Sequence, residues 1–171
     1  MALGLGGNLG PVEATLAAAL DRLRATLGPL TVAPLYRSLP VSPIPQPPYW
    51  NTAALAHTDM EPDAILALAK ALERAAGRRR GVRLGPRPLD VDLLLWGSRT
   101  ATTPELTLPH PRLKERRFVL APLADIAPDL PVPPGGETVA ELLARLGPDS
   151  AGELERLSWT RPPEAAEGND R

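Results

Sequence analysis

Arg83-Leu84-Gly85-Pro86-Arg87-Pro88-Leu89-Asp90-Val91-Asp92-Leu93-Leu94-Leu95 begins as a loop that Gly85 and Pro86 hold out of regular structure and ends as an apolar run. Leu89 to Trp96 predicts a buried strand, with Gly97-Ser98 as its exit. Side chains two apart on a strand share a face, so Asp90 and Asp92 lie a few ångströms from each other on the same side. Two like charges on an apolar strand are costly unless something neutralises them. A hard divalent cation does so, and Mg²⁺ favours one or two carboxylates completed by substrate phosphates. The bland alternative is a strand end whose acids are solvated or paired with Arg83 or Arg87; the Gly-Pro lead-in and the arginines around it favour the metal.

Upstream of this stretch, Arg78, Arg80, Arg83 and Arg87 sit on or beside a loop containing Gly77, Gly81 and Gly85. Guanidinium forks match phosphate oxygens, and glycines permit close approach. Metal-holding carboxylates beside convergent arginines suit phosphoryl-type transfer. Downstream, Pro109-His110-Pro111 and the run Arg112 to Arg117, ending at Phe118, form a second basic segment. A histidine between prolines is poorly explained by core packing and could donate to a phosphate or nucleotide oxygen.

Further out, Leu3 to Gly6 predicts a short buried strand, and Gly6-Gly7-Asn8-Leu9-Gly10 a turn that could bind an anion. A helix follows from Pro11, with Leu16, Ala19, Leu20, Leu23 and Leu27 at helical spacing and Gly28-Pro29 as its stop. Leu30 to Tyr36 predicts one strand, and Tyr49 to His57 another. Between them, Pro40, Pro43, Pro45, Pro47 and Pro48 enforce a stiff, shaped loop. Tyr49 and Asn51 share a strand face, an aromatic and an amide suited to stacking on and reading a heterocycle, although in isolation they read as a core residue and a turn or edge residue. Pro62 opens a second helix with Ile65, Leu66, Leu68, Ala69 and Leu72 on its apolar face, ending near Gly77. Phe118 to Leu123 is an apolar stretch of open type, and Thr138 to Leu146 a helix with a Thr138/Glu141 capping box. The expected organisation is a single domain over residues 1–147 and a polar, flexible tail over 148–171. The element order predicts an α+β fold, a ferredoxin-like sandwich with a mainly antiparallel sheet covered by helices on one face.

Over 171 residues the formal net charge is −1, which offers no global field for nucleic acid or anionic membrane. With no cysteine, disulfides and thiolate metal sites are excluded. No apolar run approaches the roughly 20 residues of a membrane helix, and the first residues carry no leader pattern, so the expected location is cytoplasmic. A phosphate loop of the GxxxxGK[ST] type and the kinase HRD and DFG motifs are missing. An RNA-binding module would need an aromatic-studded basic sheet, yet Phe118 is the chain's one phenylalanine.

The run Arg83 to Leu94, with Gly6-Gly7-Asn8-Leu9, Tyr36-Arg37-Ser38, Tyr49-x-Asn51, Leu108-Pro109-His110, Arg116-x-Phe118 and Ala127-Pro128, resembles the 6-hydroxymethyl-7,8-dihydropterin pyrophosphokinases of folate biosynthesis over about residues 2 to 135. The resemblance implies a ferredoxin-like enzyme that moves the terminal pyrophosphate of ATP to the pterin's hydroxymethyl oxygen and releases AMP. It implies two Mg²⁺ on Asp90 and Asp92, and a pterin held between Tyr49 and Phe118 and read by Asn51 and groups near Ser38 and Val41. It also implies Arg78, Arg83 and Arg87 as catalytic, and Lys70, Glu73, Thr107, His110 and Arg116 on the nucleotide side. Its partners would be these small molecules, with no membrane or nucleic acid. The chain departs from the pattern at Leu84, where tryptophan is common, at Gly7, where serine is usual, at Pro111 and at Lys70; its Arg-rich loop is also shorter by one residue.

Overall fold

The structure, a computed structural model, describes residues 1–79, 81, 84–147 and 154–160. Arg80, Arg83 and the tail segments 148–153 and 161–171 lie outside the described residues. Strand β1 (Ala2–Gly7) leads into helix α1 (Val12–Leu27), then β2 (Leu30–Val32) and β3 (Leu35–Ser38). Next come β4 (Tyr49–Ala56), α2 (Pro62–Ala75) and β5 (Asp90–Leu95). With a last strand β10 (Leu154–Leu157), the sheet runs β10-β3-β4-β1-β5, with β2 also on β4, and every pairing is antiparallel. Counting β2 and β3 as one interrupted strand, two β-α-β units interleave so that β1 and β4 are central and β5 flanks β1. That is the ferredoxin-like order expected from the sequence.

The predicted strand Leu30 to Tyr36 is divided because Pro34 offers no N–H to a ladder. Ala33 bonds back to Ala53 through its N–H (2.9 Å) and pairing resumes at Leu35. The two-residue hairpins β6/β7 (Ala101–Thr102, Thr107–Leu108) and β8/β9 (Pro131–Val132, Glu137–Thr138) were too short to leave a period in the sequence.

Helices cover both faces of the sheet, which corrects the expectation of one covered face. On one side α1 and α2 bury Leu16, Leu20, Leu23, Ile65 and Leu72 with Leu3, Leu5, Val91 and Leu93. On the other, α3 (Arg117–Ile126) and α4 (Val139–Leu146) enclose Leu120, Leu123, Val139 and Leu142 with Ala2, Ala53 and Leu94. The unbroken apolar run in β5 is the reason: Leu93 faces one layer and Leu94 the other. Each fully buried leucine contributes on the order of 1.5–3 kcal/mol. The stretch Phe118 to Leu123 is thereby a helix; Val119 through Leu123 are all buried, so no polar face marked its period. No helix among the described residues is long and apolar enough to cross a membrane.

A flexible segment after Gly147 is also corrected for residues 154–160. Leu154–Leu157 forms β10 against β3, in the register Leu154↔Ser38 and Arg156↔Tyr36. Trp159 Nε1 donates to the Ala33 carbonyl at 3.0 Å, beside the break in the β2/β3 strand.

The capping box of α4 is formed: the Glu141 N–H donates to Thr138 Oγ1 (3.2 Å) and the Thr138 N–H to Glu141 Oε2 (2.8 Å). Thr138→Ala should lower stability by about 1 kcal/mol, read as an earlier urea midpoint, with turnover unchanged because this cap is remote from the cavity described next.

Candidate active site

One row of residues crosses the sheet from edge to edge: Arg156, Tyr36, Asn51, Gly6 and Asp90 are successive cross-strand partners. Directly opposed residues point to the same face, so Asn51 and Asp90 face α3 with only Gly6 between them. Gly4 stands opposite Asp92 in the same way. A cavity of about 300 Å³ opens over this floor, walled by Ser38, Val41, Tyr49, Asn51, Arg116 and Phe118 and reached by Asp90 and Asp92. The glycines make the space: a Cβ on Gly6 would come within 2.8 Å of Asn51 Oδ1.

Asn51 and Ser38 are buried, and Asn51 Nδ2 donates to Ser38 Oγ at 2.9 Å. The Tyr49 hydroxyl donates to the Gly85 carbonyl (3.0 Å), which ties the loop before β5 to the cavity wall. At the mouth, Leu39, Val41 and Leu84 expose apolar surface. Leu84 holds φ +62, a left-handed backbone unusual for leucine, and its carbonyl accepts Gln46 Nε2 at 2.8 Å.

Asp90 is held by both flanking arginines, by Arg78 through Oδ1 and by Arg87 through Oδ2 at 3.0 Å. Glu73 Oε1 accepts Arg78 and, at 3.0 Å, the N–H of Val91. Burial works against the charge on Arg78, but Asp90 and Glu73 outweigh it and hold its pKa above the usual value. Burial pushes the Glu73 carboxyl up, opposed by the Val91 N–H and Arg78. Asp92 has no such clamp among the described residues; burial, then the neighbouring Asp90, raise its pKa to about 6. Across from it, burial and then Arg116 depress the His110 imidazolium, so the ring is neutral at pH 7. His110 Nδ1 accepts the Arg112 N–H at 3.2 Å, which leaves Nε2 as the protonated nitrogen, 3.9 Å from Asp92 Oδ2. Arg116 lies 5.6 Å from the Phe118 ring centroid and forms no ion pair among the described residues.

The fold thus gathers Ser38, Val41, Tyr49, Asn51, Arg87, Asp90, Asp92, Arg116 and Phe118 around one cavity. Glu73 and Arg78 stand behind it as support for Asp90, and His110 borders it through Asp92. Lys70, exposed on α2, and Thr107, on β7, do not line it. Arg83 lies outside the described residues. Sequence reasoning missed Gly4 and Gly6 as the floor, because a missing side chain acquires meaning only when its cross-strand neighbours are known. It also missed Asn8. That side chain is buried, accepts the Arg87 N–H at 2.8 Å and donates to Gln46 Oε1 and the Pro47 carbonyl, both at 3.0 Å. The glycine-rich turn is therefore a joint between loops.

A family profile described as 7,8-dihydro-6-hydroxymethylpterin-pyrophosphokinase matches residues 2–128. The chain belongs to that family. It is 42% identical over 155 residues to a 2-amino-4-hydroxy-6-hydroxymethyldihydropteridine pyrophosphokinase of Methylorubrum extorquens, covering 90% of this chain and 97% of the relative. A pyrophosphokinase of the same name from Pseudomonas aeruginosa is 43% identical over 143 residues, covering 82% and 87%. Among solved structures, an HPPK-DHPS crystallised with substrates superposes with a TM-score of 0.64 at 13% identity, covering 84% of this chain and 44% of that one. Plasmodium falciparum HPPK-DHPS with pteroate gives a TM-score of 0.68 at 15% identity, covering 84% and 41%. This pyrophosphokinase chain spans less than half the length of those two-part proteins, and at such identities the likeness concerns the fold.

Gly7 is required here: a Cβ would meet the Pro88 carbonyl oxygen at 2.4 Å. Gly7→Ser should destabilise by about 1–3 kcal/mol; an unchanged urea midpoint would show that the 87–88 backbone yields. For Asp92 the folded pKa of about 6 lies above the ordinary 3.8. Its contribution to stability is fully present below pH 3.8 and is lost as pH rises through 6. Asp92→Asn should therefore raise the thermal midpoint at pH 7.5 in metal-free buffer, with the gain vanishing toward pH 4.

Proposed function

We propose that the cavity over Gly4 and Gly6 is where this chain performs its family's reaction, with Asp90 and Asp92 at the phosphates and Phe118 and Tyr49 at the pterin. The reaction is transfer of the pyrophosphate of ATP to the hydroxymethyl oxygen of 6-hydroxymethyl-7,8-dihydropterin, a step of folate biosynthesis that leaves AMP. The single observation that carries the residue assignment is the shared wall. The heterocycle-reading amide of Asn51 and the carboxylate of Asp90 are separated by one glycine in one cross-strand row.

That spacing holds two substrates side by side. The alcohol oxygen forms its bond to the β-phosphorus while the bridging oxygen departs with AMP, and holding the partners in line removes much of the entropic barrier. Ser38, Val41 and Asn51 line the side where the pterin edge would sit, and Tyr49 and Phe118 supply its aromatic faces. The exposed Leu39, Val41 and Leu84 give the bound ring apolar cover. Arg116, without an ion-pair partner among the described residues, and the Nε2–H of His110 face the phosphate side. Thr107 and Lys70 are assigned to the nucleotide beyond the cavity rim. Arg78 and Arg87 set the charge on Asp90, and with Arg83 supply positive charge as negative charge moves to the leaving oxygen.

The donor set fits Mg²⁺. Among the described residues no group of three or more acidic or histidine ligands exists, which suits a cation that takes one or two carboxylates and completes its shell from water and phosphate. Asp92, half-buried beside Asp90 and without an arginine clamp among the described residues, is the carboxylate most in need of a cation. When bound, two such ions would neutralise and align the triphosphate. The chain's own residues bind, orient and shield the reactants. Residues 1–147 hold every group assigned to the chemistry, and a cytoplasmic location fits its small-molecule substrates.

Incubated with ATP, Mg²⁺ and 6-hydroxymethyl-7,8-dihydropterin, the protein should release AMP; release of ADP would overturn the proposal. Asp92→Ala should lower kcat by at least about 100-fold with the fold retained by circular dichroism, and Phe118→Ala should weaken pterin binding more than ATP binding. Activity of Asp92→Ala within a few-fold of wild type would remove the metal assignment.

A further inference from the structure

The far end of the row that carries Asn51 and Asp90 closes on a side-chain triad. The Tyr36 hydroxyl donates to Asp125 Oδ2 at 2.9 Å, and Arg156 Nε donates to the same oxygen at 3.0 Å. The three residues come from β3, α3 and β10, elements 89 and 31 residues apart along the chain at these bonds. Tyr36 is buried, whereas the Arg156 side chain is 59% exposed.

Each partner in the triad stands next to a wall of the cavity. Tyr36 and Ser38 are two apart on β3 and face the same way, and Ser38 Oγ accepts Asn51 Nδ2. Phe118 and Asp125 are seven apart on α3, two turns along one face. Any slide of α3 along the sheet that broke the Tyr36–Asp125 bond would move Phe118 relative to Ser38 and Asn51. Arg156, paired with Tyr36 across β10 and β3, holds the carboxylate from outside. It lies beyond residues 2–128, the part of the chain matched by the family profile.

We propose that Tyr36, Asp125 and Arg156 form a positioning clamp that sets the gap between Phe118 and the Ser38–Asn51 wall, so that a C-terminal strand outside the family's matched region tunes pterin affinity. The proposal rests on the placement of Ser38 and Phe118 at the pterin. None of the three touches the reactants. Their effect is geometric: α3 must sit at one height over the sheet for an aromatic ring to be held flat, and a charge-assisted hydrogen bond from the buried Tyr36 to the Asp125 carboxylate fixes that height better than apolar packing, which tolerates sliding.

The test uses the full chain. Tyr36→Phe keeps the ring and removes the bond, and Arg156→Gln changes an exposed group with little risk to folding. Dissociation constants for hydroxymethyldihydropterin and for a non-hydrolysable ATP analogue are measured with Mg²⁺, alongside urea midpoints. Each variant should weaken pterin binding by about three- to tenfold, with the ATP analogue bound as in wild type, and Arg156→Lys should recover part of the loss. A lower urea midpoint with unchanged pterin affinity overturns the clamp and leaves the triad structural. Equal weakening of both ligands overturns it as well. Phe118→Ala is the control for the underlying placement. If it weakens pterin binding while the triad variants do not, the clamp alone fails; if it has no effect, the placement of Phe118 fails first.

Discussion

Asp90 and Asp92 share one face of a strand that is otherwise leucine and valine, and much of the surrounding architecture can be understood as the management of that charge. Asp90 is neutralised internally: Arg78 and Arg87 take one oxygen each, and Glu73 from α2 fixes Arg78 and caps the Val91 N–H. Asp92 is left raised to about 6 by burial and by its neighbour. The asymmetry has a physical logic. One carboxylate is pre-oriented by guanidinium forks, while the other, unpaired with any arginine among the described residues, leaves a place where a cation can supply the positive charge.

Managing charge at that point requires room above the strand, and the room comes from what β1 lacks. Gly4 and Gly6 place no side chain between Asp92 or Asp90 and the β4 residues, and Gly7 lets the backbone pass against Pro88. Asn8 then locks the end of β1 to the Arg87 and Pro47 segments. The rim of the cavity is thus assembled from three loops cross-bonded through Asn8, Gln46 and Tyr49, in place of a single rigid element. Loops joined by a few hydrogen bonds are the part of a fold that opens at low cost, which suits a site that must admit two substrates.

Several parts of this were legible before any coordinates. The carboxylate pair, both long helices with their apolar stripes, the capping box at Thr138 and the strand at β4 follow from period and local chemistry. Other parts were illegible for identifiable reasons. Phe118 to Leu123 is buried all round, so its helix shows no polar face. Pro34 divides a strand whose composition looked continuous. Leu154 to Leu157 is polar enough to resemble a tail, and becomes a strand because β3 presents an unpaired edge. Asn8 lies in the Gly6–Leu9 turn, but that its side chain joins loops depends on segments 38 to 79 residues away.

Sequence by itself determined the amphipathic helices α1, α2 and α4 and the strands β1, β4 and β5, that two acids fall on one face of β5, and that the chain's motifs are those of a pterin pyrophosphokinase. These are properties of near neighbours along the chain, encoded by alternation, by 3.6-residue period and by fixed spacing. Tertiary structure decided that both sheet faces are covered, that Gly6 separates Asn51 from Asp90, and that Arg78 and Arg87 clamp Asp90 while burial and its neighbour raise Asp92. It also decided that residues from β3, α3 and β10 meet on one carboxylate. Burial and through-space charge set these features, and both depend on groups far apart in sequence, as in the bond from Trp159 to Ala33, 126 residues away. No local pattern reports such distances.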